Sequence, residues 1–195
     1  MPALIFNLVR EILWPVQEAR WYFRERKLSD GVRSRSPQLF EREILPHLDT
    51  AYNLARWLTL DASAANDIVQ ESFARAMKQF SDYDGRDAKV WLLGIVRDVC
   101  REWIDQQSTT RDLSEFDRSS PVEARPAEDA TKVHEAIEAL PRDYREILVM
   151  RELELISVDQ IAEVERLPEA LVRTMLTRAH ARLEISLADL HGDAA

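Results

Sequence analysis

Glycine is scarce in this sequence, four residues in 195, and there is one cysteine. Few glycines, set beside eight prolines that fall mostly between periodic segments, argue for long helices with abrupt ends and against a sheet protein. The lone Cys100 excludes an internal disulfide and fits a reducing cytoplasm. Four scattered histidines, none at ligand spacing, offer no zinc site. No run approaches the roughly 18 uninterrupted apolar residues of a membrane span, and the N-terminus lacks the basic, apolar and small-residue pattern of a signal peptide. The expected location is therefore the cytoplasm. A nucleophile–base pair, a metal set and a glycine-rich phosphate loop are also missing, so neither an enzyme, a cofactor nor a small-molecule substrate is expected. Positive charge is short as well. The net charge is −9; residues 1–36 carry +3, while 37–107, 108–130 and 131–195 carry −4, −3 and −5.

What is present is 46% apolar and 31% charged residues, the balance of a soluble globular protein. Residues 1–36 are a separate extension. Leu4, Ile5, Leu8, Val9, Ile12, Leu13 and Val16 fall on one helical face, followed by Trp21-Tyr22-Phe23 and a run of cations. Such a segment lies against the protein's own body, against another protein, or at an anionic membrane interface. Three helices are then expected within 38–107. The first runs from Leu39 to Leu60 with a kink or internal start at Pro46; the second, capped by Asp61, buries Ala65, Ile68, Val69, Phe73, Ala76, Met77 and Phe80. The third runs from about Asp87 to Gln106. Asp67 and Glu71 share a face of the second helix, which calls for a basic partner opposite or for water. Trp91 follows the loop from Tyr83 to Lys89, whose aromatic and cationic groups suit unpaired bases, although taken alone a buried core role accounts for Trp91 better. Residues 108–130 read as an extended linker, and 131–185 as a second bundle with a tail at 186–195 that frays.

Within that second bundle the spacing predicts a helix-turn-helix. Ser157 is a good N-cap, and Val158, Ile161, Ala162 and Val164 make a two-turn helix with one apolar face. Glu165-Arg166-Leu167 breaks the periodicity, and Pro168 suits the first position of the next helix. There Val172, Leu176, Ala179 and Leu183 form the buried stripe, leaving Glu169, Arg173, Thr174, Thr177 and Arg178 on the other side. A plain helical hairpin in an all-α core would show the same stripe. The polar face adds chemistry: a guanidinium fork at Arg173 for a guanine edge, Thr174 and Thr177 for phosphate or a thymine methyl, Arg178 and Arg182 for the backbone. Since no folded segment is basic, such a protein would bind DNA weakly alone and need a partner.

Ala51-Tyr-Asn-Leu-Ala-Arg-Trp-Leu, Asp67-Ile-Val-Gln-Glu-Ser-Phe-Ala-Arg-Ala, Gly85-Arg-Asp-Ala-Lys-Val-Trp-Leu-Leu-Gly-Ile-Val-Arg and Ala139-Leu-Pro-Arg-Asp-Tyr-Arg-Glu-Ile-Leu-Val-Met-Arg occur in an order and spacing that resemble the two conserved regions of an extracytoplasmic-function sigma factor. The resemblance covers about residues 38–107 and 131–185. It implies an all-α protein of two small domains, a three-helix region 2 and a four-helix region 4, on a flexible linker. It also implies a bacterial factor that binds core RNA polymerase and directs it to promoters. Asp67 and Glu71 then correspond to contacts with the clamp helices of the largest subunit, and Gly85, Arg86, Lys89, Trp91 and Arg97 to the part that melts and reads the minus-ten element. Glu169, Arg173, Thr174, Thr177, Arg178 and Arg182 correspond to the reader of the minus-thirty-five element, and the helices before it hold the flap of the second large subunit. An anti-sigma factor is the implied regulator, and a module that serves chiefly to bind such a regulator is the alternative. Asn66, Asp98, Gln106-Gln107, Arg166, Ala170-Leu171, Met175 and His180 depart from the usual pattern, and residues 1–36 have no counterpart in it.

Overall fold

The computed structural model describes residues 37–110 and 128–192, and every regular element among them is helical. They fall into two compact units on either side of residues 111–127. The expectations for 1–36 and for the middle of the linker lie outside the described residues. At the linker's edges the structure departs from an extended chain, because helix reaches Thr110 on one side and begins at Glu128 on the other.

In the first unit, α1 (Pro37–Glu43) and a 3-10 turn (Leu45–His47) precede α2 (Leu48–Thr59), so the helical stretch breaks at Pro46, where the sequence indicates a kink or internal start. The missing N–H of a proline is harmless only in a first turn, which is where the structure puts it. α2 ends at Leu60, which adopts the left-handed conformation at φ 57°. Asp61 then caps α3 (Ala62–Gln79), its carboxylate accepting from the Ala64 N–H at 3.0 Å. α4 (Ala88–Thr110) begins where the sequence suggests, with Asp87 just outside it accepting the Val90 N–H at 3.1 Å, and runs past Gln106 to Thr110. α2, α3 and α4 pack pairwise. Their core joins Ile44, Leu54, Ile68, Leu92, Leu93 and Val96 to an aromatic cluster in which Phe80 meets Phe40 edge-on and stacks on Tyr83.

The second unit holds α5 (Glu128–Glu138), α6 (Arg142–Leu148) with a π-helical turn (Val149–Leu153), α7 (Val158–Glu165) and α8 (Glu169–Gly192). α8 packs on α5, α6 and α7 through Val172, Leu176, Ala179 and Leu183, the stripe the spacing identified. It continues through Leu187, which is also buried, to Gly192, so helix occupies the stretch after Ser186 read as tail. Pro168 stands one residue ahead of α8, its carbonyl receiving the Leu171 and Val172 N–H groups.

Candidate nucleic-acid and polymerase interfaces

The helix-turn-helix is built from local hydrogen bonds. Ser157 and Gln160 form a reciprocal capping box, with the Gln160 N–H donating to Ser157 Oγ at 3.4 Å and the Ser157 N–H donating to Gln160 Oε1 at 3.1 Å. α7 ends in a Schellman arrangement: the Leu167 N–H reaches the Ala162 carbonyl at 3.0 Å and the Arg166 N–H the Glu163 carbonyl at 3.2 Å. Arg166 occupies the left-handed position at φ 55°, where glycine is the usual residue.

The six residues read as duplex contacts are all exposed on α8, but they are not equally free to reach outward. Arg173 pairs with Glu169 one turn earlier at 3.3 Å. Asp159 on α7 has its carboxyl held below the usual range by a Ser157 hydrogen bond and, to a lesser degree, by the Arg173 charge. Thr174 donates its hydroxyl to the Ala170 carbonyl at 2.8 Å, and Thr177 to the Arg173 carbonyl at 3.0 Å. Arg182 lies over the Tyr144 ring, 5.3 Å from its centroid, at the seam with α6. Nearby, His180 meets Glu152 at 3.0 Å, and that carboxylate raises the imidazole pKa.

In the first unit the α3–α4 connection is organised by its own side chains. Gly85 sits at φ 85°, a conformation that favours glycine. Asp84 accepts the Arg86 N–H at 3.0 Å and pairs with the Arg86 guanidinium, and both hydrogen bonds lower its pKa. Tyr83 is buried and donates its hydroxyl to the Arg86 carbonyl at 3.0 Å. Trp91 is half-buried, 5.1 Å from Tyr83 and 6.3 Å from Phe80 between ring centroids, so one side joins the cluster and another meets solvent. Lys89 belongs to the first turn of α4 rather than to the loop. Arg97 parts company with the set. It is 3% exposed, its guanidinium donating to Asp98 at 2.7 Å, and it stands in the core, whereas Arg86 is exposed and Lys89 half-buried.

Asp67 and Glu71 are exposed and line an open groove of about 210 Å³ between α3 and α4, with Ile68, Arg75, Val99, Glu102, Trp103 and Gln106. Arg75 serves as the basic partner of one of these two acids, taking Glu71 at 2.8 Å together with Glu102 at 2.6 Å, while Asp67 stands exposed to water. Arg75 is legible from its position four after Glu71, whereas Glu102 is brought in from another helix. A wider groove of about 510 Å³ in the second unit lies between α5 and α8, with Ala136, Leu140 and Pro141 on one side and Arg182 and Ile185 on the other. No group of side chains able to hold a metal ion occurs among the described residues, and none of their helices is long and apolar enough to cross a membrane.

Two family models match the chain, Sigma-70 region 2 over residues 44–110 and Sigma-70, region 4 over residues 130–183. The RNA polymerase sigma-H factor of Pseudomonas aeruginosa is 28% identical over 185 residues, which span 86% of this chain and 95% of that protein. The ECF RNA polymerase sigma factor SigC of Mycobacterium tuberculosis is 33% identical over 143 residues, 68% of this chain and 74% of that one. Among solved structures, the sigma factor RpoE in complex with the anti-sigma factor NepR from Bartonella quintana shares the fold at a TM-score of 0.68 and 20% identity, covering 77% of this chain and 98% of that one. CnrH in complex with the cytosolic domain of CnrY does so at 0.57 and 21%, covering 82% and 92%. Both regions occur here in one chain and in that order, and this chain belongs to the sigma-70 family of RNA polymerase sigma factors, in its extracytoplasmic-function group.

Proposed function

We propose that the chain works as an alternative sigma factor whose three recognition surfaces are divided between its two units. The exposed acids Asp67 and Glu71 on α3 are assigned to the clamp helices of the largest polymerase subunit. Gly85, Arg86, Lys89 and the outer side of Trp91 are assigned to unpaired minus-ten bases, and the exposed face of α8 to the minus-thirty-five duplex. The apolar groove between α5 and α8 offers a seat for the flap of the second large subunit. We take residues 38–107 and 131–185 as the two domains and 108–130 as their tether. The cytoplasm is the compartment in which all these partners meet, and the chemistry of transcription belongs to the polymerase rather than to this chain.

The observation that carries this reading is the combination, in one chain of net charge −9, of an exposed acidic helix face with a helix-turn-helix whose outer face holds Arg173 and Arg178. An acidic chain gains little from counterion release on duplex DNA, so its promoter contacts need the polymerase to hold it there. An anti-sigma factor is proposed as the regulator, in keeping with the complexes in which the two similar structures were solved. The test mixes purified protein with core polymerase. A stable complex and transcripts that start at defined promoters are the expected result; absence of a complex refutes the assignment.

A further inference from the structure

The outward face of α8 is unusual in what it offers at its N-terminal end. Ala170, Leu171, Thr174 and Thr177 are exposed together, and Leu171 is 43% accessible although leucine gains by burial. Both threonine hydroxyls donate to carbonyls one turn back, at 2.8 and 3.0 Å, so their donors are spent on the helix and their methyl groups remain to be offered outward. Arg173, beside them, is tied to Glu169. Arg173 and Arg178 remain exposed cations on this face, and the two threonines, with their hydroxyl protons committed to the helix, add methyl groups beside Ala170 and Leu171. In the major groove one group alone matches these methyls, the 5-methyl of thymine, which distinguishes thymine by apolar contact.

We propose that α8 reads at least one thymine methyl in the upstream promoter element and that Leu171 supplies the principal contact. This rests on the reading of α8 as the duplex reader. Residues at the start of a recognition helix are those that meet base edges, and Leu171 stands third in α8. Leu171 shares the exposed N-terminal half of α8 with Ala170, Thr174 and Thr177, each of which carries a methyl group.

The experiment uses holoenzyme assembled from this protein and core polymerase. A preferred upstream duplex is selected from a randomised pool, and each thymine in it is replaced singly by deoxyuridine, which removes the methyl and nothing else. The expected result is a loss of about fourfold in affinity at one or two positions, the effect of one buried methyl. The Leu171→Ala holoenzyme should bind thymine and deoxyuridine templates alike, while Leu171→Met retains the preference. Wild-type protein that selects a sequence yet ignores every methyl overturns the proposal, as does a preference that survives Leu171→Ala. Selection of no upstream sequence at all would instead remove the reading of α8 on which the proposal stands.

Discussion

Arg166 carries a local cost that the rest of the second unit absorbs. A residue with a Cβ at φ 55° is disfavoured by about 1–2 kcal/mol. Glycine relieves that at the expense of a more mobile unfolded chain. Arg166→Gly is expected to stabilise the protein by about 0.5–1 kcal/mol, seen as a raised thermal midpoint for the transition of the second unit. The His180–Glu152 pair makes stability depend on pH in a definite direction. The folded-state pKa of His180 is raised above 6.5, first by the Glu152 hydrogen bond and further by the Glu152 and Glu184 charges. The group therefore contributes in full below about pH 6.5 and loses that contribution as pH rises through the folded value. Thermal midpoints recorded from pH 5.5 to 8.5 should fall across that interval in the wild type and lose this component in His180→Gln. Arg166 stands between two helical patterns, so a turn there was legible in the sequence. The His180 contact was not, because its partner lies on a different element.

At the scale of elements, the start of α4 performs two tasks with neighbouring residues. Trp91 completes the aromatic cluster while exposing part of its ring, whereas the Arg86 side chain is 81% exposed. Trp91→Ala is expected to cost about 2–3 kcal/mol, less than the roughly 3–5 of a fully buried tryptophan, with the bundle still folded by circular dichroism. Arg86→Ala should change stability by less than about 0.5 kcal/mol. Both should reduce open-complex formation, read by permanganate footprinting, without weakening upstream duplex binding by the holoenzyme. Normal melting by both folded variants would remove this element from the minus-ten site. Arg97 shows where motif reading and periodicity compete. It stands four after Leu93 and three before Cys100, each fully buried, so its place on the inner stripe of α4 was available from spacing. The resemblance implied a DNA-facing role for Arg97; packing, with Asp98 beside it, decided otherwise.

For the whole molecule, charge is the governing property. The factor carries −9, and the acidic face of α3 is expected to meet a basic surface on the polymerase. Reversing Asp67 and Glu71 together to lysine should weaken core binding at least tenfold while leaving the helical content intact, because like charges set against each other cost more than the loss of an exposed pair. Co-purification with core polymerase at wild-type yield would contradict the assignment. Glu71 already shares Arg75 with Glu102, so the reversal also breaks a local network, and the thermal midpoint of the double variant separates the two effects.

Read from the sequence, the helical class, the stripe of α8 and the capping of α3 and α7 by Asp61 and Ser157 could all be recovered, because each depends on residues within one or two turns of one another. The positions of Asp67, Glu71 and the α8 face on exposed surfaces follow from the same periodicity. What only the tertiary structure decided are matters of distance across elements. Arg182 rests on Tyr144, His180 meets Glu152, and Glu102 closes the Arg75 pair. Local sequence sets which side of a helix is apolar; the partner each exposed or buried polar group finds depends on how the helices are packed, and that information is spread over the whole chain.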